Sequence, residues 1–172
     1  GKVRSIKHLT WSAIADQVSL LQEVVMSEHP ALLFSRLEDG KVQCELCAHR
    51  CLIRPGQRGI CRVRENRGGE LFSQSYGRLI ASHVDPIEKK PLYHFLPGST
   101  SFSIASPGCN FRCQWCQNAD ISQISAMNEP ETPRFVSPQS IVKAAVSSGS
   151  RSVSFTYTEP SLSVEYNLEV SR

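Results

Sequence analysis

Thr100-Ser101-Phe102-Ser103-Ile104-Ala105-Ser106-Pro107-Gly108-Cys109-Asn110-Phe111-Arg112-Cys113-Gln114-Trp115-Cys116 is the stretch on which the reading of this chain turns. Phe102 and Ile104 sit two apart, the period of a strand, and Pro107-Gly108 ends that strand in a tight turn. A C-x3-C-x2-C run follows at once. Further on, Ser137 is placed to cap a helix that has Pro138 at its first position and Gly149 just past its end. Ile141, Val142, Ala145 and Val146 form the stripe that this helix is expected to bury. Val153, Phe155 and Tyr157 then alternate as a second strand. Strand, helix, strand in this order predicts a βαβ unit, hence an α/β fold with a parallel sheet and a right-handed crossover. The tail is ambiguous, because Leu162, Val164, Tyr166, Leu168 and Val170 alternate like a strand.

Upstream the patterns differ. Residues 11–27 predict an amphipathic helix, with Trp11, Ile14, Val18, Leu21 and Val25 on one face, Thr10 as cap and His29-Pro30 as terminator. A hairpin follows, with an apolar strand over 31–37, a turn at Asp39-Gly40 and a return into Cys44. A second hairpin is predicted over 60–65 and 70–76, turning at Asn66-Arg67-Gly68-Gly69. Residues 44–61 carry four cysteines and little apolar mass, so metal is expected to substitute there for a core. Three units result: an N-terminal helix over 1–30, a four-cysteine hairpin module over 31–98, and α/β units over 99–172.

Composition narrows the classes. The chain has 172 residues, 40% hydrophobic and 20% charged, with 10 Gly and 10 Pro, a globular balance. The longest apolar run is Ala31-Leu32-Leu33-Phe34, far short of the about 20 residues of a membrane span. No secretory signal is visible, and a net charge of +3 does not by itself call for nucleic acid. Seven cysteines without a signal peptide fit metal binding in the reducing cytoplasm better than a disulfide framework. The chain starts at Gly1 and stops at Val170-Ser171-Arg172, which reads as a fragment.

Cys109, Cys113 and Cys116 lie within eight residues and suit a compact [4Fe–4S] cube, each thiolate on a different iron. Three ligands leave one iron open, as a reactive metal site requires and a structural one does not. The competing readings are zinc, which favours paired C-x2-C knuckles, and chance clustering. Cys44, Cys47, Cys51 and Cys61 form a second, complete set of four, with turns at Pro55-Gly56 and Gly59 bringing Cys61 back. A closed zinc site leads there and an auxiliary iron–sulfur cluster follows. One of these four could instead close the Cys109 cluster for electron transfer. His49 is an optional extra ligand. Arg50, Arg54, Arg58, Arg62, Arg64 and Arg67 against Glu65 read as a solvated basic surface beside thiolates, and no aromatics are interleaved for RNA stacking. His94 could line an active site or simply pack. The charged loop from Asp85 to Lys90 has no derivable role.

The Cys109 run, with Trp115 before its last cysteine, resembles the signature of radical S-adenosylmethionine (SAM) enzymes. Leu37-Glu38-Asp39-Gly40-Lys41, Cys44 through Cys51, Arg58-Gly59-Ile60-Cys61, Asp85 through Leu92 and Cys109 through Asn118 resemble the AmmeMemoRadiSam system branch, related to pyruvate formate-lyase activating enzymes. The resemblance spans about 31–168. It implies that 99–172 are the first βα units of a partial β/α barrel, truncated, and that the tail is helical. It implies that Cys109, Cys113 and Cys116 hold a [4Fe–4S] cluster whose open iron chelates SAM, with the backbone near Trp115 meeting adenine. Tyr157-Thr158-Glu159-Pro160 stands where the superfamily has Gly-Gly-Glu-Pro, so Glu159 would hold the SAM amino group. The implied chemistry is reductive cleavage of SAM to a 5′-deoxyadenosyl radical that abstracts a hydrogen from a protein or small-molecule substrate. An electron donor such as flavodoxin or ferredoxin is implied; membrane and nucleic-acid partners are not. Two other classes compete: a non-catalytic metal-binding module contacting RNA or protein, and an iron–sulfur electron-transfer protein.

Overall fold

The computed structural model describes residues 29–123 and 135–172, and the helix expected over 11–27 lies outside the described residues. Nine strands among the described residues form three sheets of three. β1 (His29–Pro30), β6 (Glu70–Ser73) and β5 (Arg64–Arg67) make the first, in the order β1-β6-β5. β2 (Phe34–Arg36), β3 (Val42–Cys44) and β4 (Leu52–Ile53) make the second. β7 (Ala81–Pro86), β8 (Thr100–Ala105) and β9 (Ser152–Phe155) make the third.

Both expected hairpins form. β2 and β3 pair antiparallel, Phe34 opposite Cys44, and the reversal uses Asp39 and Gly40 in the left-handed region. β5 and β6 turn on Gly68 and Gly69 alone, both at positive φ, so Asn66 and Arg67 belong to the strand and not to the turn. The first strand is shorter than 31–37, since Leu33 has φ +59 and breaks it. The module also has a core of its own: Ala31, Val42, Cys44, Ile53 and Leu71 bury together, with Phe34, Leu46 and Cys51 packed against them. Metal does not have to supply all of its cohesion, contrary to the expectation from the apolar-poor stretch 44–61.

The third sheet carries the βαβ unit. β8 and β9 pair parallel, Ser101 opposite Ser152 and Ile104 opposite Phe155. Helix α2 (Pro138–Ser147) connects them, following the short α1 (Ala119–Ser122). Ser137 caps α2 through its side chain, which accepts from the Ser140 N–H. Phe102, Ile104, Ile141 and Ala145 meet Tyr166 and Val170 in one core, the last two from α3 (Val164–Val170). The tail is therefore helical, and its alternation is not a strand signal. Val142 and Val146 do not join this core and are 45% and 72% exposed. The sheet is also not purely parallel. β7 pairs antiparallel with β8 along six residues, Ala81 opposite Ala105 through Pro86 opposite Thr100. Thus residues read as the end of the hairpin module and a charged loop supply an edge strand to the α/β sheet.

Alternation splits this sheet into two faces. Phe102 and Ile104 point to the helices, while Ser101 and Ser103 point away, Ser101 Oγ lying 2.6 Å from Ser154 Oγ. The polar face also bears Asp85, buried beneath Lys89, Lys90 and Tyr157. No described helix is long and apolar enough to cross a membrane.

Candidate active site

The cysteine loop leaves the carboxyl end of β8, where parallel α/β sheets place their chemistry. Gly108 stands at φ +94, and a Cβ there would lie 2.6 Å from Val63 Cγ1 and 3.0 Å from the Cys61 carbonyl oxygen. Glycine is what lets the loop press against the four-cysteine module. Arg112 then organises the loop: its guanidinium donates to the carbonyls of Cys109 and Phe111, both at 2.9 Å, and to that of Ile60 at 3.0 Å. The Phe111 N–H donates to Cys109 Sγ at 3.4 Å.

Cys109 and Cys116 are half-buried, Cys113 is exposed, and none is in a disulfide. Trp115 is 92% exposed, its ring standing clear of the protein. Asn118, two residues past Cys116, donates to the Tyr157 carbonyl at 2.9 Å. Tyr157 itself has φ +68, the left-handed conformation that the superfamily pattern meets with glycine. It is held there from its far end, where the phenol donates to Asp85 and both Lys89 and Lys90 approach its ring. Burial, reinforced by that bond to Asp85, pushes the phenol up to about 12. Burial alone would push the Asp85 carboxyl up too. Hydrogen bonds from Lys90, Tyr157, Lys89 and Ser103 outweigh it and hold the group well below the usual carboxylate range. The sequence offered no role for this charged stretch; here it braces the loop that carries Glu159.

Thr158 Oγ1 donates to the Ser106 carbonyl at 2.7 Å, so the turns after β8 and β9 are tied together. Glu159 lies beside them in a small cavity with Ser106, Thr158 and Ser163. Its Oε1 accepts from the N–H and hydroxyl of Ser161, at 3.1 and 2.7 Å, capping a 3₁₀ turn over Pro160–Ser163. Both bonds use Oε1, which leaves Oε2 for a ligand.

The module's cysteines also come together. Cys44, Cys47, Cys51 and Cys61 line one cavity, and Asn110 of the cysteine loop lines it as well. Burial pushes the Cys44 and Cys61 thiols up from their ordinary value. Among the described residues no three Cys, His, Asp or Glu side chains converge on one metal-binding point. Arg64 leaves the expected basic surface: it is 1% exposed and pairs with Glu165 of α3 at 2.8 Å, joining β5 to the α/β unit. Arg58 and Arg67 reach Glu65, and Arg50 reaches Glu45. His49 Nε2 lies 2.9 Å from the Asn110 carbonyl oxygen. His94 is exposed.

Residues 103–172 match the Radical SAM superfamily. The matched stretch contains the second half of β8, the cysteine loop, α2, β9 and Glu159, and as a class such proteins are enzymes that use an iron–sulfur cluster and SAM for radical chemistry. The chain is also similar to two proteins of Methanocaldococcus jannaschii. It is 42% identical to "Uncharacterized protein MJ0808" over 141 residues, 82% of this chain and 42% of that one. It is 34% identical to "Uncharacterized protein MJ0674" over 99 residues, 55% of this chain and 24% of that one. The chain thus spans less than half the length of these curated relatives. No solved structure matches it significantly. Within the matched stretch, Cys109, Cys113 and Cys116 carry free thiols.

Proposed function

We propose that this chain carries the cluster loop and part of the SAM site of a radical SAM enzyme of the AmmeMemoRadiSam type, akin to pyruvate formate-lyase activating enzymes. Cys109, Cys113 and Cys116 hold a [4Fe–4S] cluster, the backbone around Trp115 faces the SAM adenine, and Glu159 Oε2 receives the SAM amino group. When bound, the cluster supplies the electron that cleaves SAM reductively, and a hydrogen is then taken from the substrate. The work of these residues is to position and to fasten. Asn118 and Thr158 bind the Glu159 loop to the cysteine loop and to the end of β8. Asp85 and its lysines hold Tyr157 in the conformation that orients this loop.

One observation carries the reading: three free thiols on a single loop at the carboxyl end of the central strand, inside the matched stretch. An electron-transfer protein or a passive metal module has no use for a carboxylate on the neighbouring strand end, poised with one oxygen uncommitted. The substrate is a protein or a small molecule, the electron donor is of the flavodoxin or ferredoxin kind, and the setting is cytoplasmic. The test is formation of 5′-deoxyadenosine from SAM by the anaerobically prepared, reduced full-length protein, with Glu159→Gln expected to weaken SAM binding while iron content stays unchanged.

A further inference from the structure

Arg64 and Asn110 line the cavity formed by Cys44, Cys47, Cys51 and Cys61, and each has a buried polar atom without a hydrogen-bond partner: Arg64 Nε and Asn110 Oδ1. Arg64 is 1% exposed and Asn110 9%. A buried guanidinium N–H left unpaired costs about 1–3 kcal/mol, more because it is charged, so its neighbourhood is built for an acceptor. Thiolates supply that acceptor. Four thiols make a complete, closed ligand set, the habit of a structural zinc site. Cys44 and Cys61 are buried at a strand end and beside β5, whereas Cys47 and Cys51 sit on the open turn between β3 and β4.

We propose that these four cysteines bind one zinc ion, that Arg64 Nε and the Asn110 amide hydrogen-bond its thiolates, and that the site buttresses the Cys109 loop through Asn110. Four thiolates on Zn²⁺ leave two negative charges, and a guanidinium N–H facing the sulfurs is the partner such a site needs. On binding, the four deprotonated sulfurs draw in to about 2.3 Å from the metal, and up to four protons are released to solvent. Cys47 and Cys51 make most of this movement, since Cys44 ends β3 and Cys61 is buried. An amide turned so that its NH₂ faces the cavity lets Asn110 donate to a sulfur. Asn110 is one residue past Cys109, and its carbonyl oxygen is already met by His49 at 2.9 Å. Arg112 reaches the Ile60 carbonyl next to Cys61. The cluster loop is thus seated on the zinc site, a consequence that rests on the radical SAM reading; the zinc site itself does not.

The test is metal analysis of the anaerobically purified full-length protein and of its Cys47→Ser/Cys51→Ser variant. One zinc per chain beside the iron, falling below a tenth in the variant, is the expected result. Zinc retained in the variant, no zinc in either, or extra iron that depends on Cys47 would overturn the proposal, the last in favour of an auxiliary cluster. Should the variant fail to fold, Co²⁺ is titrated into metal-free protein bearing Cys109→Ala/Cys113→Ala/Cys116→Ala. Tetrahedral, thiolate-bound Co²⁺ absorption is expected, about tenfold weaker in affinity when Asn110→Ala is added. Absence of those bands would overturn the zinc site whatever the fate of the cluster.

Discussion

The side-chain amide of Asn118 donates to the backbone carbonyl of Tyr157 at 2.9 Å, fastening the end of the cysteine loop to the turn behind β9. Two loops from neighbouring parallel strands, one with the thiols and one with Glu159, thereby keep a fixed separation. Such a bond contributes about 1 kcal/mol. Asn118→Ala is expected to weaken SAM binding about fivefold and to leave iron content unchanged, read by equilibrium binding and iron analysis on the same preparation. Loss of iron together with affinity would mean that Asn118 shapes the cysteine loop alone.

Gly108 is one point where that loop touches the hairpin module. Gly108→Ala sets a methyl group 2.6 Å from Val63 Cγ1, in a backbone conformation that alanine resists. A stability loss of about 2–4 kcal/mol is expected in urea unfolding, together with lower iron content after reconstitution. Val63→Ala, by opening space, should recover part of both.

Arg64 and Glu165 join β5 to α3, with side chains 1% and 2% exposed and the Leu32 N–H also donating to Glu165 at 2.7 Å. Removing one partner strands the other charge in the interior. Glu165→Gln is expected to cost about 3–5 kcal/mol, and an Arg64→Met/Glu165→Leu double variant to cost less than the sum of its parts. Thermal or urea unfolding of Glu165→Gln, of the two single variants Arg64→Met and Glu165→Leu, and of the double variant measures this directly.

Asp85 gives the protein an acid-sensitive brace. Its carboxyl is held low in the folded state, so the stability it adds is present above the unfolded value, near pH 4, and is lost as pH falls through the lower folded value. The stability gap between wild type and Asp85→Asn is expected to be constant from pH 7 to about pH 5 and to shrink as acid is added below pH 4. A gap that widened on acidification would contradict the ion-pair account.

The βαβ unit was legible because its signals are local: the Ser137-Pro138 cap, the alternation of Val153 and Phe155, and the glycine turn beyond the cysteine strand. So were the two hairpins, which turn on residues that tolerate positive φ. β7 was not, because it is an edge strand in which only Asp85 is buried, so no apolar alternation marks it. Val142 and Val146 fit a helical stripe, yet the described residues put nothing over them. The tail shows the opposite failure: Leu162, Tyr166 and Val170 recur every four residues and bury as a helix, while the intervening Val164 and Leu168 mimic a strand. Within the candidate site, spacing alone nominated the cysteines. Arg64, Asn110, Asn118 and the Asp85–Tyr157 pair depend on contacts between residues far apart in the chain, and spacing says nothing of those.

The central claim is that Cys109, Cys113 and Cys116 hold a cluster that binds SAM. EPR of the anaerobically reconstituted, reduced full-length protein, before and after SAM addition, tests it most directly, with Cys113→Ala as the comparison. The expected result is a [4Fe–4S]⁺ signal that changes on SAM addition and is lost in the variant. A signal indifferent to SAM, or one that survives Cys113→Ala unchanged, would contradict the assignment.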